Sequence, residues 1–422
     1  MKLPYLVFST VILFISNLIV RILGFVYKIF LSNVLGEVDL GIYHMIFNFV
    51  MIALALTTTG IPTALSCLIS KKNTLNDRHS TNVLFISTLY TSTFVAFIIS
   101  LIISLNNSFF AQKFLNNPNL NIYILAVAPS IVIITLSNIM RGYFYGVKKI
   151  IVPAIGQVLE QISKILFVVG FIFLIGNNIY NCYIALLGIS VGELANVIFM
   201  TFHIFSKYDI QRKYSINIKE FLNSSLETVK MAVPITTNRM TNIIIQSISS
   251  MIIPSRLALS GISYTKALSL YGIMSGMVMP FVMIPFTLGS ALVVNLIPSI
   301  AQEIALNKKE KIKLKIYYSL LLTLIVGILS SMLFYFFGEK ICLIVFKNEL
   351  AGKYLKLMCI VPLFMSLNQT LLAILNALRK EVISSINTIA GTFLQLIGIY
   401  VLLPFENINM YGYIIVMSVC SM

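Results

Sequence analysis

The sequence predicts an all-α polytopic membrane protein with two six-helix lobes, related by a pseudo-twofold axis along the membrane normal. Hydrophobic residues make up 58% of its 422 residues and charged residues only 10%, whereas a soluble domain carries about 25% charge. Uncharged apolar runs recur along the whole chain, and many are long enough to cross a bilayer as a helix. An internal repeat divides these runs into two halves.

The apolar runs place about twelve spans. We expect them near residues 5–33, 40–70, 81–105, 119–141, 151–175, 180–205, 231–254, 267–303, 316–337, 357–378 and 382–404, with a twelfth beginning near residue 408. From Asn407 only 16 residues remain, which is short for a crossing. The twelfth span is therefore expected to be incomplete.

Basic residues set the expected orientation. They concentrate in the loops that follow even-numbered spans, to which we assign Arg141, Lys148, Lys149 and the segment Lys308–Lys315. The positive-inside rule places these loops and the N-terminus in the cytoplasm of a multi-pass cell-membrane protein. Because orientation accounts for the net charge of +16, no nucleic-acid partner is expected.

The internal repeat defines the expected domains. Gly60-Ile-Pro62 at the end of the second span resembles Leu296-Ile-Pro298 at the end of the eighth. Six spans return the chain to its starting side, so the halves have the same orientation. The expected domains are an N-terminal lobe 1–206, a cytoplasmic linker 207–230 and a C-terminal lobe 231–422. The linker is either an amphipathic helix at the inner membrane face or a solvated connector.

Arg239 is the stronger of two candidate cavity residues. It lies 8 residues into the run that begins at Met231, or about 12 Å deep. An arginine at the centre of a membrane helix costs roughly 3 kcal/mol on insertion scales, so we expect it to face a polar environment. Asn238, Asn242 and Gln246 share a polar stripe beside it. The alternative is polar packing between helices.

Arg21 is the second candidate. Asn17, Arg21, Lys28 and Ser32 share one helix face at spacings of 4, 7 and 4, which predicts a cationic groove. A helix from Leu3 to Gly36 would be about 51 Å long, so it must tilt, bend or rise above the membrane. The alternative is that Arg21 reaches the outer interface with its long side chain.

Glu193, in the sixth span, is a candidate residue for ion coupling. It is either protonated or paired with a base such as Lys164, while Glu160 and Lys164 are expected to pair at spacing i, i+4. Phosphate-loop, metalloprotease and paired-carboxylate motifs are absent, so no enzyme activity, catalytic residue, cofactor or metal site is expected.

Several segments resemble the stage V sporulation protein B group. These are Asn17-Leu-Ile-Val-Arg21-Ile-Leu-Gly24 with downstream Leu35-Gly36, Gly60-Ile-Pro62-Thr-Ala-Leu, and Arg141-Gly142-Tyr-Phe-Tyr-Gly146 with downstream Gln157-Val-Leu-Glu160. The group is similar to polysaccharide exporters and lipid II flippases of the multidrug/oligosaccharidyl-lipid/polysaccharide (MOP) superfamily. The resemblance covers nearly the whole chain.

The resemblance implies two six-helix lobes around a cavity that opens alternately to each side of the membrane. It implies outward movement of a lipid-linked anionic sugar precursor for spore cortex synthesis, possible contacts with cell-wall synthesis proteins, and a cationic cavity at Arg21, Lys28 and Arg239. Members usually have 14 spans, so this chain is expected to be truncated relative to them. Two alternatives remain, a multidrug or cation antiporter of the same fold and a non-transporting membrane scaffold for cortex assembly.

Overall fold

The computed structural model describes residues 3–75, 77–176, 180–207, 217–286, 300, 303, 308–378 and 380–421, with side chains at residue 12 and from residue 15, apart from 234, 235 and 238. All regular structure in these ranges is helical. The helices are α1 (Leu3–Thr58), α2 (Ile61–Thr74), α3 (Arg78–Leu105), α4 (Asn107–Lys113), α5 (Asn121–Gly146), α6 (Ile151–Ile175), α7 (Asn181–Lys207), α8 (Ile218–Ala258), α9 (Tyr264–Gly272), α10 (Lys309–Phe346), α11 (Glu349–Leu357), α12 (Val361–Ala377), α13 (Glu381–Leu402) and α14 (Asn409–Ser421).

Eight helical stretches of the described chain are long and apolar enough to cross a membrane, or nine if α11 and α12, bent by 49°, form one broken span. In each of α6, α10 and α13, an apolar stretch of 18 residues buries only 17% of its residues, so most of its side chains point outward, as lipid contact requires. The polytopic all-helical class is confirmed. Twelve spans remain a prediction, since Pro298 and its neighbours lie outside the described residues.

Two glycines break the first predicted pair of spans. Gly36 interrupts α1 with φ 72°, and Gly60 precedes α2 with φ 81°. Side chains disfavour this left-handed backbone region, which glycine enters freely. Pro62 then stands in the first turn of α2, where its missing N–H removes no helical hydrogen bond. The segment of α1 before Gly36, Leu3–Leu35, is therefore about 50 Å long, as expected from the sequence.

The chain forms two compact units. The N-terminal unit comprises Met1–Tyr27 and Met45–Ser247, and the C-terminal unit comprises Lys28–His44 and Ile248–Met422. Both α1 and α8 contribute to both units. The lobe and linker boundaries inferred from the repeat remain a prediction.

In the N-terminal unit, α2, α3, α5 and α7 enclose an apolar core. Its buried members include Ile69, Phe85, Tyr143, Phe144 and Met200. The rings of Phe85 and Tyr143 lie 4.4 Å apart between centroids. This core fixes α5 and α7, which carry part of the polar site described below.

In the C-terminal unit, the segment Lys28–His44 packs against later helices. Glu37 accepts hydrogen bonds from the Ser269 hydroxyl and, at 2.6 Å, from Asn348 Nδ2. A Cβ atom at Gly272 would collide with the backbone carbonyl of Glu37, so the helices approach closely there.

Candidate functional site

Arg141, on α5, is the centre of a buried ion-pair network in the N-terminal unit. Its Nη2 atom donates to Glu160 Oε2 of α6 at 2.9 Å, and to the two carboxylate oxygens of Glu193 on α7 at 3.1 and 3.0 Å. The three side chains are 17%, 22% and 10% exposed, respectively. A guanidinium shared by two carboxylates offsets their mutual repulsion. The network therefore joins three helices through one cation.

Two neutral side chains, Ser137 and Asn196, complete the network. Ser137 Oγ accepts from Arg141 Nη2 and from Asn196 Nδ2, each at 3.0 Å. Asn196 Nδ2 also approaches Glu160 Oε2 at 3.3 Å. Ser137 lies four residues before Arg141 and hence on the same face of α5.

Small residues bring the two carboxylates within reach of one arginine. A Cβ atom at Gly192 of α7 would lie 2.7 Å from the backbone oxygen of Glu160, and one at Gly156 of α6 would collide with the Asn196 side chain. Glycine at these two positions permits α6 and α7 to pack closely. The local sequence thus explains why Glu160 and Glu193 meet at Arg141.

The network forms one wall of a cavity of about 200 Å³. Its lining residues are Asn17, Val20 and Arg21 from α1, Arg141 from α5, and Gln157 and Glu160 from α6. Arg141 Nε is buried and has no hydrogen-bond partner among the described residues. The cavity wall thus combines two guanidinium groups, two amides and the carboxylate of Glu160.

The formal charge around this cavity is positive. Arg21, Arg141 and Lys164 are cations, whereas Glu160 and Glu193 are anions. Lys164 stands one turn after Glu160 on α6, with its Nζ 5.2 Å from the ring centroid of Tyr27. With all five groups ionised the sum is +1, and an anionic ligand would be favoured over a cationic one.

Only some of the cavity residues predicted from the sequence line the cavity in the structure. Asn17 and Arg21 line the cavity, while the exposed Lys28 belongs to the C-terminal unit. On α8, Arg239 and Gln246 are exposed and Asn242 is half-buried, and these residues are not in the described lining of the cavity. The side chain of Asn238 lies outside the described residues.

The structure corrects the position that we predicted for Arg141. We assigned it to a cytoplasmic loop, but α5 continues to Gly146 and holds Arg141 inside the helix. The hydrogen-bonded partner of Glu160 and Glu193 is Arg141, where we had expected Lys164. Two acids in apolar runs require buried cations, and this requirement was the signal that could have identified Arg141.

Among the described residues, no group of three or more His, Cys, Asp or Glu side chains could hold a metal ion. The polar groups of the cavity are instead arginines, amides and one carboxylate. The arginines and amides are donors that suit hydrogen bonding to an oxygen-rich anion.

Family comparison identifies the chain. The model of the family described as "Polysaccharide biosynthesis protein" matches residues 6–303, which is well over half of the chain. The chain belongs to this family. The MatE family model also matches residues 240–401. Stage V sporulation protein B of Bacillus subtilis (strain 168) is 25% identical over 413 residues, which cover 96% of this chain and 79% of that protein. The resemblance inferred from the sequence is confirmed.

Solved structures establish the fold. An inward-facing multidrug resistance MATE family transporter of the MOP superfamily aligns with a TM-score of 0.77 at 14% identity, over 95% of this chain and 91% of the other. The lipid II flippase MurJ in an inward closed conformation aligns with a TM-score of 0.74 at 16% identity, over 97% and 85%. The chain therefore shares the fold of these two proteins.

Proposed function

We propose that the protein is a flippase that moves a lipid-linked anionic sugar precursor from the cytoplasmic to the outer leaflet by alternating access. The cell membrane is its location, with the N-terminus in the cytoplasm, and spore cortex synthesis is the process it serves. It is not an enzyme. The single observation that carries this proposal is the cavity where Arg21 and Arg141 stand beside Asn17 and Gln157.

The cavity has the chemistry that a phosphorylated head group needs. Arginine donates paired hydrogen bonds to phosphate oxygens, and amide groups bind sugar hydroxyls. A volume of about 200 Å³ suits part of such a head group, while the lipid tail stays in the bilayer. Further support comes from the names of the relative and of one structural neighbour, a sporulation protein and a lipid II flippase.

The remaining sequence-predicted residues are proposed to contact the head group at other points along its path. These residues are Lys28, Arg239, Asn238, Asn242 and Gln246. Glu193 is proposed as the coupling residue, because an anion that binds Arg141 competes with the two carboxylates for the same guanidinium. Protonation of one carboxylate would then leave Arg141 available to the ligand, which links proton uptake to binding.

A reconstituted assay tests the proposal. The purified protein is placed in proteoliposomes with a fluorescent lipid-linked sugar pyrophosphate, and its exposure to a membrane-impermeant quencher is followed. We expect the wild type to translocate the lipid, Arg21→Gln to lose most of this activity, and Lys313→Gln to retain it. Lys313 is a matched control because it loses the same charge at a largely exposed site.

Two outcomes would overturn the proposal. Efflux of an organic cation without lipid translocation would favour the antiporter. Neither activity, in proteoliposomes that contain correctly folded protein, would favour the scaffold.

A further inference from the structure

The first turns of α8 occupy a segment that hydropathy assigns to the cytoplasm. The predicted linker ends at residue 230 and the predicted seventh span begins at Met231. In the structure, however, α8 runs without interruption from Ile218 to Ala258, a length of 41 residues or about 62 Å. This is about twice the 30 Å thickness of a bilayer core, so its sequence alone does not say which part is embedded.

Contacts with α3 set the position of α8. His79 Nε2 lies 3.5 Å from Glu220 Oε2, and the hydroxyls of Thr88 and Thr228 are 3.1 Å apart and buried. The two contacts are nine residues apart on α3 and eight on α8. The helices therefore run side by side in the same direction. Because α3 is a candidate membrane span, the start of α8 rises with it and does not lie flat on the membrane surface.

A contact with the start of α2 gives the same position independently. A Cβ atom at Gly60 would lie 3.2 Å from the backbone oxygen of Ala232. Gly60 lies 14 residues before Thr74, the end of α2, or about 21 Å. Ala232 lies 12 residues after Glu220, or about 18 Å. Because these two distances are similar, Glu220 lies near the end of α2, which agrees with its contact with His79 at the start of α3.

Three stripes run along this part of α8, each displaced by one residue. The buried stripe, which packs on the N-terminal unit, is Ser225, Thr228 and Ala232, each 9% exposed or less. The apolar stripe is Ile218, Leu222, Leu226, Val229 and Val233, each between 49% and 77% exposed. The polar stripe is Lys219, Asn223, Glu227 and Lys230, all exposed.

The exposure pattern of the apolar stripe is not that of a helix surrounded by water. Its helix buries Ser225 and Thr228 while leaving Leu222 and Leu226 exposed, the reverse of the pattern in a water-soluble helix. Exposed apolar side chains beside buried hydroxyls suit a helix that borders lipid, where small and hydroxyl side chains mediate packing. The adjoining polar stripe keeps its charges on a different edge.

We propose that residues 218–230 are embedded in the membrane as the first part of the seventh span. The apolar stripe binds lipid acyl chains, and the polar stripe faces water. The span then begins near Glu220, and Arg239 lies 19 residues beyond it, about 28 Å along the helix, instead of about 12 Å.

Site-specific fluorescence tests this placement without reference to transport. An environment-sensitive fluorescent amino acid is introduced separately at positions 222, 226, 223 and 75 of the otherwise unchanged chain, and each variant is reconstituted. Quenching by aqueous iodide is compared with quenching by brominated acyl chains. Leu75 is the aqueous control, because it lies in the turn between α2 and α3 and is 70% exposed.

We expect probes at 222 and 226 to be quenched strongly by brominated lipid and several-fold less by iodide than the probe at 75. The probe at 223 is expected to follow the aqueous control. Iodide quenching at 222 and 226 equal to that at 75 would show a solvated connector and would overturn the proposal. The introduced side chains occupy exposed positions, so folding is retained, and the flipping activity of each variant is a separate readout.

Discussion

Replacement of Arg141 by methionine removes the guanidinium to which Glu160 and Glu193 are both hydrogen-bonded. Loss of one partner from a buried ion pair costs roughly 3–5 kcal/mol, because the remaining charge is left uncompensated. Here two carboxylates lose their partner at once, at sites 22% and 10% exposed. We therefore expect Arg141→Met to lower the free energy of unfolding by about 3–5 kcal/mol.

The measurement is reversible unfolding of the protein in bicelles by a denaturing detergent, followed by circular dichroism. The control is Lys313→Met, whose pair with Glu310 has side chains 76% and 86% exposed. Exposed pairs contribute about 0–1 kcal/mol, so this variant should unfold like the wild type.

A triple variant separates charge from packing. Arg141→Met combined with Glu160→Gln and Glu193→Gln leaves neither carboxylate without its cation, and neutral replacement of a buried ionic cluster is often near-neutral in stability. We expect it to recover most of the loss. An Arg141→Met variant within about 1 kcal/mol of the wild type, the range of an exposed pair, would refute the proposed role of the network.

Three further predictions concern other parts of the chain. Arg239→Ala should reduce translocation at least about tenfold, since a hydrogen bond to a charged group contributes roughly 1.5–3 kcal/mol, while the variant still inserts normally into the membrane. Unchanged translocation would exclude Arg239 from the substrate path. Gly272→Ala should lower the unfolding free energy by about 1–3 kcal/mol through overpacking. Gly170→Ala is the control, because nothing lies within 4 Å of its new Cβ, and it should not destabilise the protein. Equal effects of the two substitutions would contradict the close packing of Gly272 against Glu37. Asp77 is the N-cap of α3, and its side chain accepts a hydrogen bond from the Ser80 backbone N–H. Hydrogen bonds from Ser80 hold the pKa of Asp77 below its ordinary value of 3.8, so its stabilising effect is present above that pH and is lost as pH falls through the folded pKa. Asp77→Ala should accordingly cost roughly 0.5–2 kcal/mol at neutral pH and progressively less in acid, as thermal melts across pH would report.

Composition and the spacing of apolar runs were sufficient to predict the fold class. Those features are local, because a membrane-spanning helix can be recognised from about 20 consecutive residues. The left-handed backbone at Gly60, just before Pro62 and the start of α2, was not among the predictions, because Gly60-Ile-Pro62 was used only to recognise the repeat and the family resemblance. The segment of α1 before Gly36 keeps the excess length that the sequence predicted for the first helix.

The ion-pair network could not be predicted in the same way. Arg141 meets Glu160 and Glu193 across sequence separations of 19 and 52 residues, which no local rule relates. The i, i+4 rule proposed Lys164 as the partner of Glu160 because it considers one helix at a time. Only the packing of α6 on α7 shows that one arginine can reach both acids.

The start of α8 was missed for a different reason. A hydropathy window averages the apolar and polar stripes of one helix, so charges at Lys219, Glu220, Glu227 and Lys230 hide the apolar edge between them. Exposure of each side chain separates the stripes. The contacts with α3 then place the helix relative to a neighbouring span.

The most direct test of the proposed function is translocation by the purified wild-type protein alone. Proteoliposomes that carry a fluorescent lipid-linked sugar pyrophosphate in both leaflets are treated with an impermeant reductant. We predict that the protein makes the inner-leaflet lipid accessible, and that excess unlabelled lipid-linked pyrophosphate slows this process by competition. Accessibility equal to that of protein-free liposomes, with the protein shown to be folded, would contradict the assignment as a flippase.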